Sequence, residues 1–146
     1  MFDDGTHPIV SASVPQVGRA VAKLLLLPIT SDSGPSLSDY KNKYAYIKSL
    51  LISQNDMIAA AQRATKTGSE DWTITKQPLD EYIKAGPELL RAGNRMGMMN
   101  ILYGYTFKKG CGDRFHGREN TNEKIGLEEE NLDDIVRGVV AELESR

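Results

Sequence analysis

Cys111, Asp113 and His116 fall within six residues of one another in the segment KKGCGDRFHGREN, and they are the residue types of a thiol nucleophile, an orienting acid and a base. Such groups normally converge from distant positions on a rigid scaffold, so three of them crowded into one glycine-rich loop do not by themselves make a catalytic site. A metal centre fares no better. His7, His116 and Cys111 are the chain's only histidines and cysteine, and no metal is expected because a closed site needs about four ligands at matched spacing. No GxGxxG and no phosphate-loop GK[ST] occurs, which removes the common nucleotide fingerprints. The residues therefore predict neither an enzyme nor a bound cofactor.

The remaining chemistry is charge. The 146 residues carry a net charge of only −2, but the balance is uneven along the chain. Lys84 to Arg118 holds seven bases against two acids, and Glu123 to Arg146 holds eight acids against three bases. A basic middle followed by an acidic end is either an internal charge match or a local anion-binding surface. Arg91 and Arg95, one helical turn apart, could grip phosphates or pair with the acidic end.

Positioning such groups falls to helices. The single cysteine excludes an internal disulfide. The apolar run AVAKLLLLPI is interrupted by Lys23 and ended by Pro28, so neither a signal peptide nor a membrane span is expected, and the location read from this is cytoplasmic. Residues 1–13 read as a non-periodic arm. Ser13 and Pro15 then open a helix through QVGRAVAKLLLL. Ser36 with Asp39 resembles a capping box ahead of a long helix that carries Leu37, Tyr40, Tyr44, Ile47, Leu51 and Ile58 and stops at Gly68. A third helical region runs from about Pro78 to Tyr105, kinked at Gly86 and Pro87. Residues 107–126 read as one long loop, and LEEENLDDIVRGVVAELE closes the chain as a helix with an apolar stripe. The expectation is one all-α domain over 1–146, with about four helices in a bundle-like arrangement behind an N-terminal arm.

The third region carries an unusual burden of glycine. Gly86, Gly93, Gly97 and Gly104 are spaced seven, four and seven apart, which on one continuous helix puts them within about 40° of each other. Such a line allows close approach by a neighbouring helix or a polymer backbone. Gly93, Gly97 and Gly104, with Tyr40 and Tyr44 as amphipathic anchors, are the candidate subunit-packing residues.

The core RAxNRxG within LLRAGNRMGMMNIL, carried by Arg91, Ala92, Asn94, Arg95 and Gly97, resembles the late helix of coat proteins from rod-shaped and filamentous double-stranded DNA viruses of hyperthermophilic archaea. The resemblance covers about fifteen residues. It implies a non-enzymatic virion subunit, assembled in the host cytoplasm, that pairs with an identical or paralogous coat protein. Such a subunit wraps double-stranded DNA without sequence specificity, stacks into a helical filament and takes no small-molecule substrate; an envelope is left undecided. In that role Arg19, Lys23, Lys41, Lys43 and Lys48 would contact phosphates, with Arg91 and Arg95 as further candidates. The other reading of the residues is a small helical adaptor that binds protein through its tyrosine and methionine surfaces.

Overall fold

A computed structural model describes residues 1–145. About half the chain is helical, and a two-stranded sheet is added to the helices. The fold is therefore mostly helical but not all-α, and among the described residues there are six α-helices where about four were expected.

The segment expected to be an arm is built into the molecule. It contains β1 (Ile9–Ser11), which pairs antiparallel with β2 (Leu50–Ile52) in the register Ile9 to Ile52, Val10 to Leu51 and Ser11 to Leu50. Ile9 and Ile52 are both buried at one end of this ladder. Helix α1 (Val14–Leu25) begins as its sequence predicts: the Ser13 hydroxyl accepts from the Gln16 amide, and Pro15 lies in the first turn.

The long helix expected from Leu37 does not form. Ser36 and Asp39 do make the reciprocal capping bonds, but they cap only a four-residue 3-10 turn, Leu37–Tyr40. The chain turns at Asn42, whose φ is +57°, and runs irregularly into β2. A second capping box, Ser53 with Asp56, starts helix α2 (Gln54–Thr65). The helical spacing of Tyr40, Tyr44 and Ile47 therefore spans a turn, a coil and no helix.

Helix α3 (Leu79–Arg91) continues past Gly86 and Pro87 without a break. Pro87 lies inside it, removing only the bond its own N–H would make to Ile83. The break comes at Gly93, in the left-handed region at φ +77°. There the Gly93 amide donates to the Leu90 carbonyl at 3.0 Å and the Asn94 amide to Leu89 at 2.9 Å, the paired bonds of a Schellman stop. Helix α4 (Met96–Phe107) returns along α3 as a hairpin. Gly86, Gly97, Asn100 and Gly104 are buried between the two helices.

The N-terminal residues close the base of this hairpin. Asp3 accepts the Leu79 amide through Oδ1 at 3.1 Å, supplying the cap that Pro78 cannot. The Phe2 ring lies 4.7 Å from that of Tyr82 and 5.7 Å from that of Phe107. The expected 107–126 loop is mostly turns but holds a short helix, α5 (Thr121–Lys124). Helix α6 (Leu132–Glu144), capped by Asn131, packs on α2, and Arg63 grips Asp133 through both Nε and Nη2. That grip holds the Asp133 carboxyl below its usual range. Among the described residues no helix is long and apolar enough to cross a membrane.

Candidate functional site

The loop constellation does not assemble. Cys111, Asp113 and His116 sit in successive tight turns, where the Arg114 amide donates to Cys111 and the His116 amide to Asp113. Asp113 faces away from that use: its Oδ2 lies 3.6 Å from Nε2 of His7, 106 residues earlier, in a pair that is half-buried on both sides. The partnership ties the N-terminal segment to the glycine-rich loop. Among the described residues no group of three or more His, Cys, Asp or Glu side chains comes together to hold a metal ion.

The basic residues expected at phosphates lie on separate elements, several of them already engaged. On α1, Arg19 donates to the Gln16 side chain and pairs with Glu130, while the Lys23 ammonium donates to the Gly126 carbonyl. Lys41 is exposed beyond the 3-10 turn, and the half-buried Lys48 exchanges backbone bonds with the Asn122 side chain. Arg91 and Arg95 do not form a one-turn pair on a helix face, because the Schellman stop falls between them. Asn94 and Asn100, both plausible phosphate ligands by type, are used internally. Asn94 accepts the Met96 amide, and Asn100 donates to the Tyr82 carbonyl across the hairpin at 3.1 Å.

The subunit-packing glycines also turn inward. Gly93 makes the hairpin turn, Gly97 backs onto Gly86, and a Cβ on Gly104 would lie 2.3 Å from the Ile83 side chain. Tyr40 and Tyr44, chosen as packing anchors, instead line a cleft.

That cleft gathers aromatic and cationic side chains from separate parts of the chain. It encloses about 670 Å³ and brings Tyr40, Lys43, Tyr44 and Tyr46 from the irregular segment against Arg118, Glu119 and Lys124, a size usual for small-molecule sites. The assembly follows from backbone bonds. The Thr121 amide donates to the Tyr46 carbonyl at 3.0 Å. The buried Asn122 side chain donates to the Lys48 carbonyl and accepts the Lys48 amide, as a neighbouring strand would. Helix α5 is thereby fixed beside residues 46–48, and Arg118 comes to lie over the Tyr46 ring, its Cζ 5.8 Å from the centroid. Tyr46 in turn sits 6.1 Å from Tyr44 and 5.8 Å from Phe115. A smaller cleft of about 350 Å³ adjoins, sharing Tyr46, Arg118 and Glu119 and reaching Val17 of α1.

The electrostatics leave this cleft with a small excess of positive charge. Lys124 pairs with Glu119 at 2.5 Å, and their hydrogen bond raises the lysine above its usual range and lowers the carboxyl below its own. Asp39 is held low by the Ser36 amide and hydroxyl. Lys43 and Arg118 form no ion pair among the described residues. Lys43, Arg118 and Lys124 outnumber Asp39 and Glu119 in the lining by one charge, and aromatic walls with that excess suit a flat organic anion. Sequence reading missed this grouping because Tyr46 and Arg118 are 72 residues apart, with no periodic signal linking them.

Over nearly its whole length the chain is similar to fungal proteins named as oxidoreductases. It is 26% identical over 141 residues to oxidoreductase aprR of Aspergillus flavus, covering 96% of this chain and 43% of the relative. It is 19% identical over 143 residues to oxidoreductase poxI of Penicillium oxalicum, covering 96% and 42%. The chain thus spans less than half the length of these curated relatives. No family model matches, and no solved structure matches. These relatives overturn the expectation of a non-enzymatic capsid subunit that packages DNA in a virion, because each is named for redox chemistry.

Proposed function

We propose that this chain belongs to an oxidoreductase and that the cleft between Tyr40 and Arg118 seats its organic substrate, a planar molecule bearing an anionic group. The observation that carries the reading is Arg118 laid over Tyr46 at the junction of two connected clefts. The names borne by relatives along 96% of the chain support the reaction class. Tyr44 and Tyr46 supply flat walls, Arg118 and Lys43 supply the counter-charge, and the paired Glu119 and Lys124 hold the rim. A guanidinium already stacked on an aromatic ring loses less freedom on meeting a carboxylate than a free one does.

The test is calorimetric titration with an aromatic carboxylate such as salicylate and with the matching uncharged amide. The carboxylate should bind more tightly, and Arg118→Gln should weaken it by about tenfold, the effect of losing one charge-assisted contact. Equal binding of acid and amide by the natural protein would sink the proposal.

A further inference from the structure

Tyr46 stands between two clefts of different character. Its ring lies 6.1 Å from that of Tyr44, which lines the larger cleft, and 5.8 Å from that of Phe115, which lines the smaller. The three rings run as a row from one cleft into the other, and Arg118 lies over the middle one. Past Tyr46 the lining changes. The smaller cleft is walled mainly by Val10, Ala12, Val17, Ala45, Ile47 and Phe115. Only Lys48 adds a charge that the larger cleft does not already contain. Of the polar groups, Asn120 accepts the Asn122 amide and Glu119 pairs with Lys124, so both are committed within the chain.

Local structure accounts for these apolar walls. Strand alternation turns Ile9 into the core and Val10 to the opposite face, where it lines the cleft. On α1 the buried position falls to Gln16, which leaves the next residue, Val17, 45% exposed. Phe115, in the turns that follow α4, is 49% exposed. Both keep apolar surface in water, which an apolar group entering the cleft would remove.

We propose that the smaller cleft is a subsite for an apolar chain carried by the same ligand whose anionic ring occupies the larger one. The substrate is then an aromatic acid with an alkyl substituent. This inference rests on the anion reading of the larger cleft. Continuity argues for one ligand rather than two, because Tyr46, Arg118 and Glu119 wall both clefts. A carboxylate at Arg118 sits at the junction, with its ring against Tyr44 and Tyr46 and its substituent passing Tyr46 toward Phe115 and Val17. Size agrees. A volume of about 350 Å³ lies near the lower limit for a whole ligand and is ample for a side chain.

Calorimetric titration of the full protein with salicylate and its ring-substituted ethyl, butyl and hexyl derivatives tests this, each acid run beside its uncharged amide. Affinity should rise about fourfold for each methylene buried and level off once the chain outgrows the cleft. Val17→Gln and Ile47→Thr should each flatten that rise to less than about twofold per methylene while salicylate itself still binds. Circular dichroism checks that both variants keep their fold. Alkyl derivatives that bind no more tightly than salicylate overturn the subsite and leave the anion reading standing. A rise that both variants leave untouched also overturns it, since the chain then lies elsewhere. Acid and amide binding equally at every chain length overturn the anion reading and the subsite with it.

Discussion

Gly97 packs its backbone against that of Gly86. A Cβ added to Gly97 would lie 2.3 Å from the Gly86 carbonyl oxygen and 2.9 Å from the Leu90 amide nitrogen, both backbone atoms that cannot swing aside. The two glycines thus set how closely α3 and α4 approach, and the close approach first assigned to neighbouring subunits takes place within one chain. Gly97→Ala should cost about 1–3 kcal/mol, the usual cost of overpacking, and Gly97→Leu should cost more and loosen the hairpin itself. Chemical denaturation with a circular dichroism readout measures this; an unchanged midpoint for the alanine variant would contradict the packing.

Gly93 is required for a different reason. Nothing crowds its missing side chain, but its φ of +77° is costly for any residue with a Cβ. Gly93→Ala should destabilise the fold by about 1 kcal/mol, and Gly93→Asn by less, since asparagine tolerates the left-handed region. Thermal melts that rank alanine as the milder change would argue against a Schellman stop.

These two glycines show what the sequence could convey. Their number was legible, but the single line expected of Gly86, Gly93, Gly97 and Gly104 assumed one continuous helix, and the chain instead breaks at Gly93. Whether the contact lay within or between chains was not legible, since that depends on a break at Gly93 rather than at the more conspicuous Pro87. Likewise Ser13 with Pro15 announced α1, whereas the Ser53 and Asp56 box was hidden under an apolar rhythm that continued through Asn42 and β2. The cleft was the least visible. It rests on Asn122 imitating a strand edge beside Lys48, a long-range bond with no local signature.

Asp3 offers a test of the N-terminal segment as structure rather than arm. Its carboxylate caps α3 from 76 residues away, and its own φ is +47°. Asp3→Ala should cost about 1 kcal/mol or somewhat more, through loss of the cap together with backbone strain. Asp3→Asn should recover most of it by retaining an acceptor oxygen and tolerating the conformation. Amide exchange adds a local readout, with faster exchange at Leu79 expected in the alanine variant and little change at α6. Equal stability of the two variants would refute the capping role.

Glu130 makes part of the stability depend on pH. Burial pushes its carboxyl upward, but hydrogen bonds from Ser49, Ser13 and Arg19 outweigh that and hold it below its ordinary value. A carboxyl lowered by folding contributes stability that is complete above the unfolded value, about 4.3, and is lost as pH falls through the lower folded value. Glu130→Gln should therefore destabilise the protein at neutral pH by about 2 kcal/mol, the scale of hydrogen bonds to a charged group. The gap between natural protein and variant should close as the solution is acidified past that lower value. Taking the difference cancels the other lowered carboxyls, Asp4, Asp39, Asp56, Glu119 and Asp133, which titrate alike in both proteins. Urea denaturation at a series of pH values measures the gap directly. A gap that stays constant from neutral to strongly acidic solution would mean that Glu130 anchors α1 through packing rather than through its charge.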